Sequence, residues 1–352
     1  MRRWVIRGIV LLLIVELSLL VVMLGRYIWS TYKQRQEANE RASKMWAYRD
    51  PLYAQIDREE SELIEDYQPF VGWKTREYHS ANINVDAEGV RRTIGATSAS
   101  DIPSIYFFGG SSMWGVGHRD ETTIPSLVAS KVKASIVNYG EIGYGISQEV
   151  IRLQQLLKSG KRPNHVVFYD GCNDLFLTAL DSVPHETFRD TTMRKVLGNI
   201  WKLPREGKEG VLPWNFNLNL FQRKSPAPTR QSEEELVNHL VQSYMGNIEI
   251  LDALSKAYDF DYLLFWQPTL YSRDESDLTD DEKRLPDTTD PLYKEFVVIY
   301  KQAGQKIFAE NPHNFYDLSA VFSGEKESVF TDSCHLTPDG NKKVSDTILS
   351  LL

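Results

Sequence analysis

Short apolar segments alternate with longer amphipathic ones over residues 102–351, and this alternation constrains the fold more than any other feature of the sequence. The apolar segments have the length and the β-branched and aromatic content of buried strands. They are predicted at residues 102–108, 136–139, 165–169, 262–266 and 314–318. Helices are predicted at residues 124–133, 147–159, 233–258, 292–309 and 338–351. This order predicts an α/β fold, a three-layer αβα sandwich around a mainly parallel central sheet.

The N-terminal segment departs from this globular pattern. Residues 4–29 are mostly apolar and long enough to cross roughly 30 Å of hydrocarbon as a helix. Trp4, Tyr27 and Trp29 lie where interfacial aromatic residues are found in membrane helices. A cleaved signal peptide is the alternative, but no small-x-small cleavage site follows the apolar run. We therefore predict an uncleaved, single-pass transmembrane anchor over residues 1–29.

Basic residues flank both ends of this predicted anchor, so the positive-inside count does not decide its orientation. Arg2 and Arg3 precede it, and Arg26 and Lys33 lie at its other end. Because the segment has the form of a signal anchor, we expect the rest of the chain on the periplasmic or cell-surface side. Glu16, inside the apolar stretch, is either a tolerated polar residue or the contact point of a membrane-protein partner.

Composition divides the remaining chain into two parts. Residues 30–66 are rich in charged side chains and predict a juxtamembrane helix or stalk, and residues 67–352 predict one domain. Residues 176–230 interrupt the alternation with prolines and aromatic residues and predict an insertion near the functional site. The net charge of −8 argues against nucleic acid as a partner, because phosphate binding needs a basic face.

A serine directly after the first predicted strand is the candidate nucleophile. Gly109 and Gly110 precede Ser111, and a tight glycine turn exposes the hydroxyl and directs the serine N–H at a reacting oxygen. Met113 replaces the second glycine of a Gly-x-Ser-x-Gly motif, which argues against an α/β-hydrolase elbow. Such a turn is also common without any function, so it needs a base and oxyanion donors elsewhere in the chain.

His335 is the candidate base and Asp332 is the carboxylate that orients it; both lie just before the last predicted helix. An imidazole takes the serine proton, and a carboxylate on its other nitrogen fixes the tautomer and stabilises the imidazolium. The Asn173 side-chain amide and the Gly143 backbone N–H are the candidate oxyanion donors. The structural alternatives are a surface Asp-x-x-His pair, a helix-capping asparagine and a turn glycine.

Together and in this order, these motifs resemble the SGNH, or GDSL-type, hydrolases. The matching motifs are Gly-x-Ser after the first strand, a glycine in the second block, Gly-x-Asn-Asp in the third and Asp-x-x-His near the C-terminus. The resemblance covers residues 102–351 and implies an SGNH/flavodoxin-like fold. It also implies that Ser111 is the nucleophile and that His335 and Asp332 complete a triad. Oxyanion donors are then the N–H groups of Ser111 and Gly143 and the Asn173 amide.

One position departs from the family pattern. Gly110 stands where the family's name-giving Asp is found. Because that Asp is not the catalytic acid, activity is still expected. Residues 84–93 and the Gln267-Pro268 pair look like those of exported bacterial members linked to polysaccharide modification.

The two cysteines of the chain, Cys172 and Cys334, are each adjacent to a predicted site residue, Asn173 and His335. Because those two residues must converge on Ser111, we hypothesise a disulfide between the two loops, which would suit an exported domain. Two buried thiols are the alternative.

The expected function is a membrane-anchored serine esterase that acts on acyl, most simply acetyl, esters of a cell-surface or exported glycan. An O-acyltransferase that uses the same acyl-enzyme, and an esterase for lipid acyl chains, are alternatives of the same chemistry. A non-catalytic protein that binds polysaccharide or forms the scaffold of an envelope complex is the alternative of a different class. No cofactor is expected, and the other histidines have no ligand-like spacing, so no metal site is predicted.

Overall fold

The computed structural model describes residues 45–97, 102–180, 231–285, 288, 292–310 and 312–352, and six single residues before residue 45. Most of the predicted anchor at residues 1–29 and most of the predicted insertion at residues 176–230 lie outside the described residues. Across the ranges that are described, no helix combines the length and the apolar character needed to cross a bilayer.

Nine strands are present in the described residues. They are β1 (Glu65–Gln68), β2 (Gly72–Thr75), β3 (Tyr78–His79), β4 (Asn84–Val85), β5 (Ser104–Gly109), β6 (Ser135–Asn138), β7 (His165–Asp170), β8 (Asp261–Trp266) and β9 (Phe315–Asp317). The last five form a parallel sheet in the order β6-β5-β7-β8-β9. Gly109 is in register with Tyr169, and Tyr169 with Phe265, so the segments after β5, β7 and β8 leave the sheet at one edge.

The α-helices of the described chain are α1 (Pro51–Glu60), α2 (Ser111–Trp114), α3 (Ile124–Ala129), α4 (Ile146–Lys158), α5 (Cys172–Leu180), α6 (Glu233–Tyr258), α7 (Tyr293–Ala309) and α8 (Pro338–Leu349). Alternate strand residues face opposite sides of the sheet. Phe108, Phe168 and Trp266 pack against α4, α6 and α7 on one side. Phe107 and Phe265 pack against α3 and α8 on the other. The architecture is therefore a three-layer αβα sandwich, as the alternation of the sequence predicts.

The predicted ends of the five sheet strands agree with the structure to within two residues. Two helices at the site have no counterpart in the sequence-based prediction, α2 and α5. The first is only four residues long, too short for a periodic pattern. The second begins in the Gly-x-Asn-Asp motif and runs into the segment interpreted as an insertion.

The segment before the sheet packs on the domain rather than standing apart from it. The Trp46 indole Nε1–H donates to the Phe330 carbonyl at 3.1 Å. On α1, Ile56 is buried in a cluster that contains Trp114 of α2. Residues 45–66 of the predicted juxtamembrane helix or stalk therefore form part of the wall around α2, whereas the other limits of the anchor and stalk stay predictions.

Candidate active site

The turn between β5 and α2 places Ser111 at the carboxyl edge of the sheet. Ser111 is the first residue of α2, so its N–H precedes the helical hydrogen-bond ladder. Its Oγ lies 2.8 Å from His335 Nε2, across a separation of 224 residues. The structure thus brings together the serine and the histidine that the sequence analysis singled out.

Asp332 holds His335 through both its side chain and its backbone. Asp332 Oδ2 lies 2.6 Å from His335 Nδ1, and Asp332 Oδ1 accepts hydrogen bonds from the N–H groups of Cys334 and His335 at 2.9 and 2.8 Å. Burial acts to lower the pKa of His335, but the Asp332 carboxylate, together with Cys334 and Glu60, outweighs burial and raises that pKa. Burial acts to raise the pKa of Asp332, and the His335 ring and the two N–H groups lower it further than burial raises it. Asp332 is therefore ionised and supports the imidazolium form of His335.

The Asn173 amide lies beside the nucleophile turn. Its Nδ2 donates to the Tyr144 carbonyl at 2.6 Å, which leaves its second amide hydrogen for another acceptor. A Cβ at position 110 would overlap Asn173 Nδ2 and would lie 3.0 Å from the Tyr144 carbonyl oxygen. Asn173, Tyr144 and Gly110, the residue before Ser111, are therefore in direct contact.

Gly143 precedes Tyr144 in this arrangement and adopts a φ of +81°, which favours glycine. Its N–H makes no hydrogen bond within the described part of the chain. The ring of Trp73 on β2 packs against Gly143, since a Cβ at position 143 would lie 3.3 Å from Trp73 Cζ2. Trp73 also donates its Nε1–H to the Ile142 carbonyl at 2.8 Å. The Gly143 N–H thus lies in the loop that contacts Gly110 and Asn173.

Buried carboxylates hold this loop at both ends. Glu141 accepts hydrogen bonds from the Thr75 N–H at 2.9 Å and the Thr75 hydroxyl at 2.6 Å. Asp174, next to Asn173, accepts from the N–H groups of Ile146 and Gly171, both at 3.1 Å. These two supports were not predicted from the sequence, although the Asp of Gly-x-Asn-Asp and the Glu inside the Asn138–Gly143 block lie in motifs that were singled out there.

A second polar link joins the nucleophile turn to the histidine loop. The Ser112 hydroxyl donates to the Cys334 carbonyl at 3.1 Å, and Gln267, after β8, lies 3.5 Å from that hydroxyl through its Nε2. His118 Nε2 donates to the Leu336 carbonyl at 2.9 Å. Burial lowers the pKa of His118 to about 3, so this imidazole is neutral and structural. The sequence contained no signal that would separate His118 from a pocket residue.

The comparisons with known proteins give the family. Residues 105–348, more than half of the chain, match the model of the GDSL-like lipase/acylhydrolase family. The chain belongs to this family and is a serine hydrolase. Comparison with curated proteins gives no match.

Solved structures similar to this GDSL-like hydrolase include the acetyl xylan esterase AlAXEase, at 14% identity, covering 71% of this chain and 99% of that one with a TM-score of 0.38. A G-D-S-L lipolytic protein from Veillonella parvula is 11% identical over 71% of this chain and 97% of its own, with a TM-score of 0.40. An extracellular lipase from Streptomyces rimosus is 15% identical over 71% of this chain and 100% of its own, with a TM-score of 0.37. At these scores, the family assignment depends on the family model alone.

Neither cysteine of this GDSL-like hydrolase forms a disulfide, so the hypothesis of a Cys172–Cys334 bridge is not supported and the alternative of two buried thiols is what the structure contains. Both thiols nevertheless lie close enough to the Tyr169 phenol to affect its pKa, which burial raises.

Donor atoms of Asp332, Cys334 and His335 lie within 4.8 Å of one another, the arrangement nearest to a metal site in the part of the chain that the structure describes. Two of the three are already joined by a hydrogen bond, and His335 also faces Ser111. These atoms are therefore arranged for proton transfer to and from the serine, and a bound metal ion would disrupt that arrangement.

Proposed function

We propose that this GDSL-like hydrolase cleaves acyl esters, most simply acetyl esters of a cell-surface or exported glycan, through Ser111, His335 and Asp332. The contact between Ser111 Oγ and His335 Nε2, with Asp332 on the opposite ring nitrogen, is the observation that carries the proposal. The glycan assignment depends on the resemblance of residues 84–93 and of Gln267-Pro268 to polysaccharide-modifying members.

In the acylation step, neutral His335 accepts the Ser111 proton on Nε2 while Oγ attacks the ester carbonyl carbon. The resulting oxyanion takes hydrogen bonds from the Ser111 and Gly143 N–H groups and from the second amide hydrogen of Asn173. His335 then gives its proton to the leaving alcohol oxygen as the carbon–oxygen bond breaks. Water resolves the acyl-enzyme in a hydrolase, and a sugar hydroxyl resolves it in an acyltransferase.

The first test compares the full chain in detergent with Ser111→Ala on p-nitrophenyl acetate and p-nitrophenyl octanoate. Wild type is expected to prefer the acetate, and Ser111→Ala is expected to lose about 10⁴-fold or more in kcat. An added sugar alcohol that captures the acetyl group at the expense of acetate release would identify an acyltransferase.

Ser112→Ala is the matched control, because the Ser112 hydroxyl bonds the Cys334 carbonyl and does not face His335 Nε2. It should retain labelling by a fluorophosphonate probe, which Ser111→Ala should abolish. Wild type that neither turns over ester nor reacts with the probe would contradict the proposal and favour a binding or scaffold protein. A preference for octanoate would support the roles given to the triad but would identify lipid acyl esters, rather than acetyl esters, as the substrate.

A further inference from the structure

Helix α1 places an acidic side chain against the segment that follows the nucleophile helix α2. Glu60, its last residue, accepts a hydrogen bond from the Gly117 N–H at 2.7 Å through Oε1. Gly117 lies in the segment that follows the nucleophile helix α2. On the same helix, the ring of Tyr53 would lie 3.0 Å from a Cβ at Gly117, and its phenol is close to Asp332. One helix therefore contacts both the segment after Ser111 and the loop of His335.

The charges around Glu60 come from three elements. Arg91 and His335 favour its ionised form, whereas Asp57 on α1 opposes it. The groups that act on His335 are Asp332, Cys334 and Glu60, and the His335 charge in turn acts on His118. Glu60 is thus an acidic group outside the His335 loop that acts on this imidazole.

Burial raises the pKa of Glu60 to about 7, although Gly117, Arg91 and His335 oppose this effect. Asp332 raises the pKa of His335 above its ordinary value of about 6.5. Over the alkaline range in which His335 loses its proton, Glu60 is therefore mostly ionised. Its negative charge then favours the imidazolium that forms when Ser111 is deprotonated.

We propose that Glu60 is a positioning residue of the candidate triad, whose carboxylate, fixed by the Gly117 N–H, stabilises protonated His335 during acyl transfer. This inference rests on the proposed function of Ser111 and His335. Helix α1 thereby contributes a side chain to the candidate site, although it lies outside residues 105–348, which match the family model.

The test measures the rate at which a fluorophosphonate probe labels Ser111 between about pH 5 and pH 10, with the full chain in detergent. Glu60→Gln keeps an oxygen acceptor for Gly117 and removes the charge. The labelling midpoint, the pH at which the labelling rate is half of its maximum, should be lower than in wild type by about half a unit or more. At a pH below the midpoint, the variant should then be labelled about threefold faster than wild type. A structural role alone would lower the rate at all pH values without moving the midpoint.

Glu59→Gln is the matched control. It removes the same charge from the neighbouring residue, whose carboxylate bonds Ser80 and Asn82. Its midpoint should equal that of wild type. An unshifted midpoint in Glu60→Gln, with wild type labelled normally, would overturn the inference about Glu60 and leave the proposed function intact. Wild type that is not labelled at any pH would overturn both.

A second measurement on the wild-type chain covers the case in which Glu60→Gln does not fold. The ¹³C-labelled imidazole of His335, assigned through His335→Gln, should show a smaller inflection near pH 7 in addition to its own titration, because it senses the ionisation of Glu60. A single inflection would contradict the inference.

Discussion

At the scale of single residues, the absence of a side chain at position 110 decides how the Asn173 amide is placed. Gly110 allows Asn173 Nδ2 to lie against the backbone just before Ser111 and to bond the Tyr144 carbonyl. The family pattern has Asp at this position, whereas in this chain the Asn173 amide occupies the space that a Cβ at position 110 would take.

Gly110→Ala should lower kcat/KM by about 10²–10³-fold, the cost of losing one oxyanion donor, because the new methyl group displaces Asn173. Steady-state kinetics on p-nitrophenyl acetate and the melting temperature check this, and the fold should persist. Gly246→Ala on α6, where a Cβ meets no neighbouring atom, is the control and should leave kinetics unchanged. If Gly110→Ala and Asn173→Ala act through the same donor, the double variant should be no slower than Asn173→Ala alone.

At the scale of elements, the turn of residues 84–93 holds the end of the nucleophile helix. Arg91 forms isolated bridges with Val85 and with Asn138 at the end of β6. Its buried guanidinium donates to the Gly115 carbonyl at 2.8 Å and the His118 carbonyl at 2.5 Å. The motif that the sequence analysis associated with a sub-family thus has a structural role, since it fixes the turn after α2.

Arg91→Lys should destabilise the domain by about 3 kcal/mol, because an ammonium group cannot reach both carbonyls and Asp120 from one buried position. Denaturant unfolding of the full chain in detergent measures this change. The neighbouring Arg92 is exposed, and Arg92→Lys should change the free energy of unfolding by no more than about 0.5 kcal/mol. Equal effects of the two substitutions would contradict the role given to the Arg91 guanidinium.

At the scale of the whole molecule, three carboxyl groups are buried below the site, where α4, β7 and α5 meet. Asp174 accepts two backbone N–H groups, but the oxygens of Glu149 and Asp170 have no donor among the described residues. Burial raises the pKa of both Glu149 and Asp170, and the charge of Asp174 raises both further; Asp170 also raises the pKa of Glu149. The pair therefore retains a proton at a pH at which exposed carboxyl groups are ionised.

Glu149→Gln should stabilise the protein increasingly as pH rises. In wild type, the unfolded chain releases the Glu149 proton above about pH 4.3 while the folded chain retains it, so unfolding becomes easier by about 1.4 kcal/mol per pH unit. Glutamine does not titrate and can donate to Asp170. Melting temperatures between pH 5 and pH 9 should diverge from wild type for Glu149→Gln and not for Glu249→Gln, an exposed acid on α6. A difference that is the same at all pH values would contradict the raised pKa of Glu149.

The sequence by itself determined the five strands of the central sheet, most of the helices and the candidate residues for the site. Strand composition and helical periodicity are local properties, and Ser111, Asn173 and His335 lie in short motifs just after strands or before a helix. Because parallel strands end at one edge, the convergence of those motifs followed from the fold class.

Only the tertiary structure decided what holds the site in place. Glu60, Arg91, Glu141 and His118 act through partners that are distant in sequence. Arg91 and Glu141 lie in segments that the sequence singled out, but no local pattern predicts the contacts that any of the four makes. The same holds for Gly110, where the space for Asn173 is set by a loop from another strand. Contacts between elements, and the loss of solvation that buries these polar groups, exist only once the chain is folded.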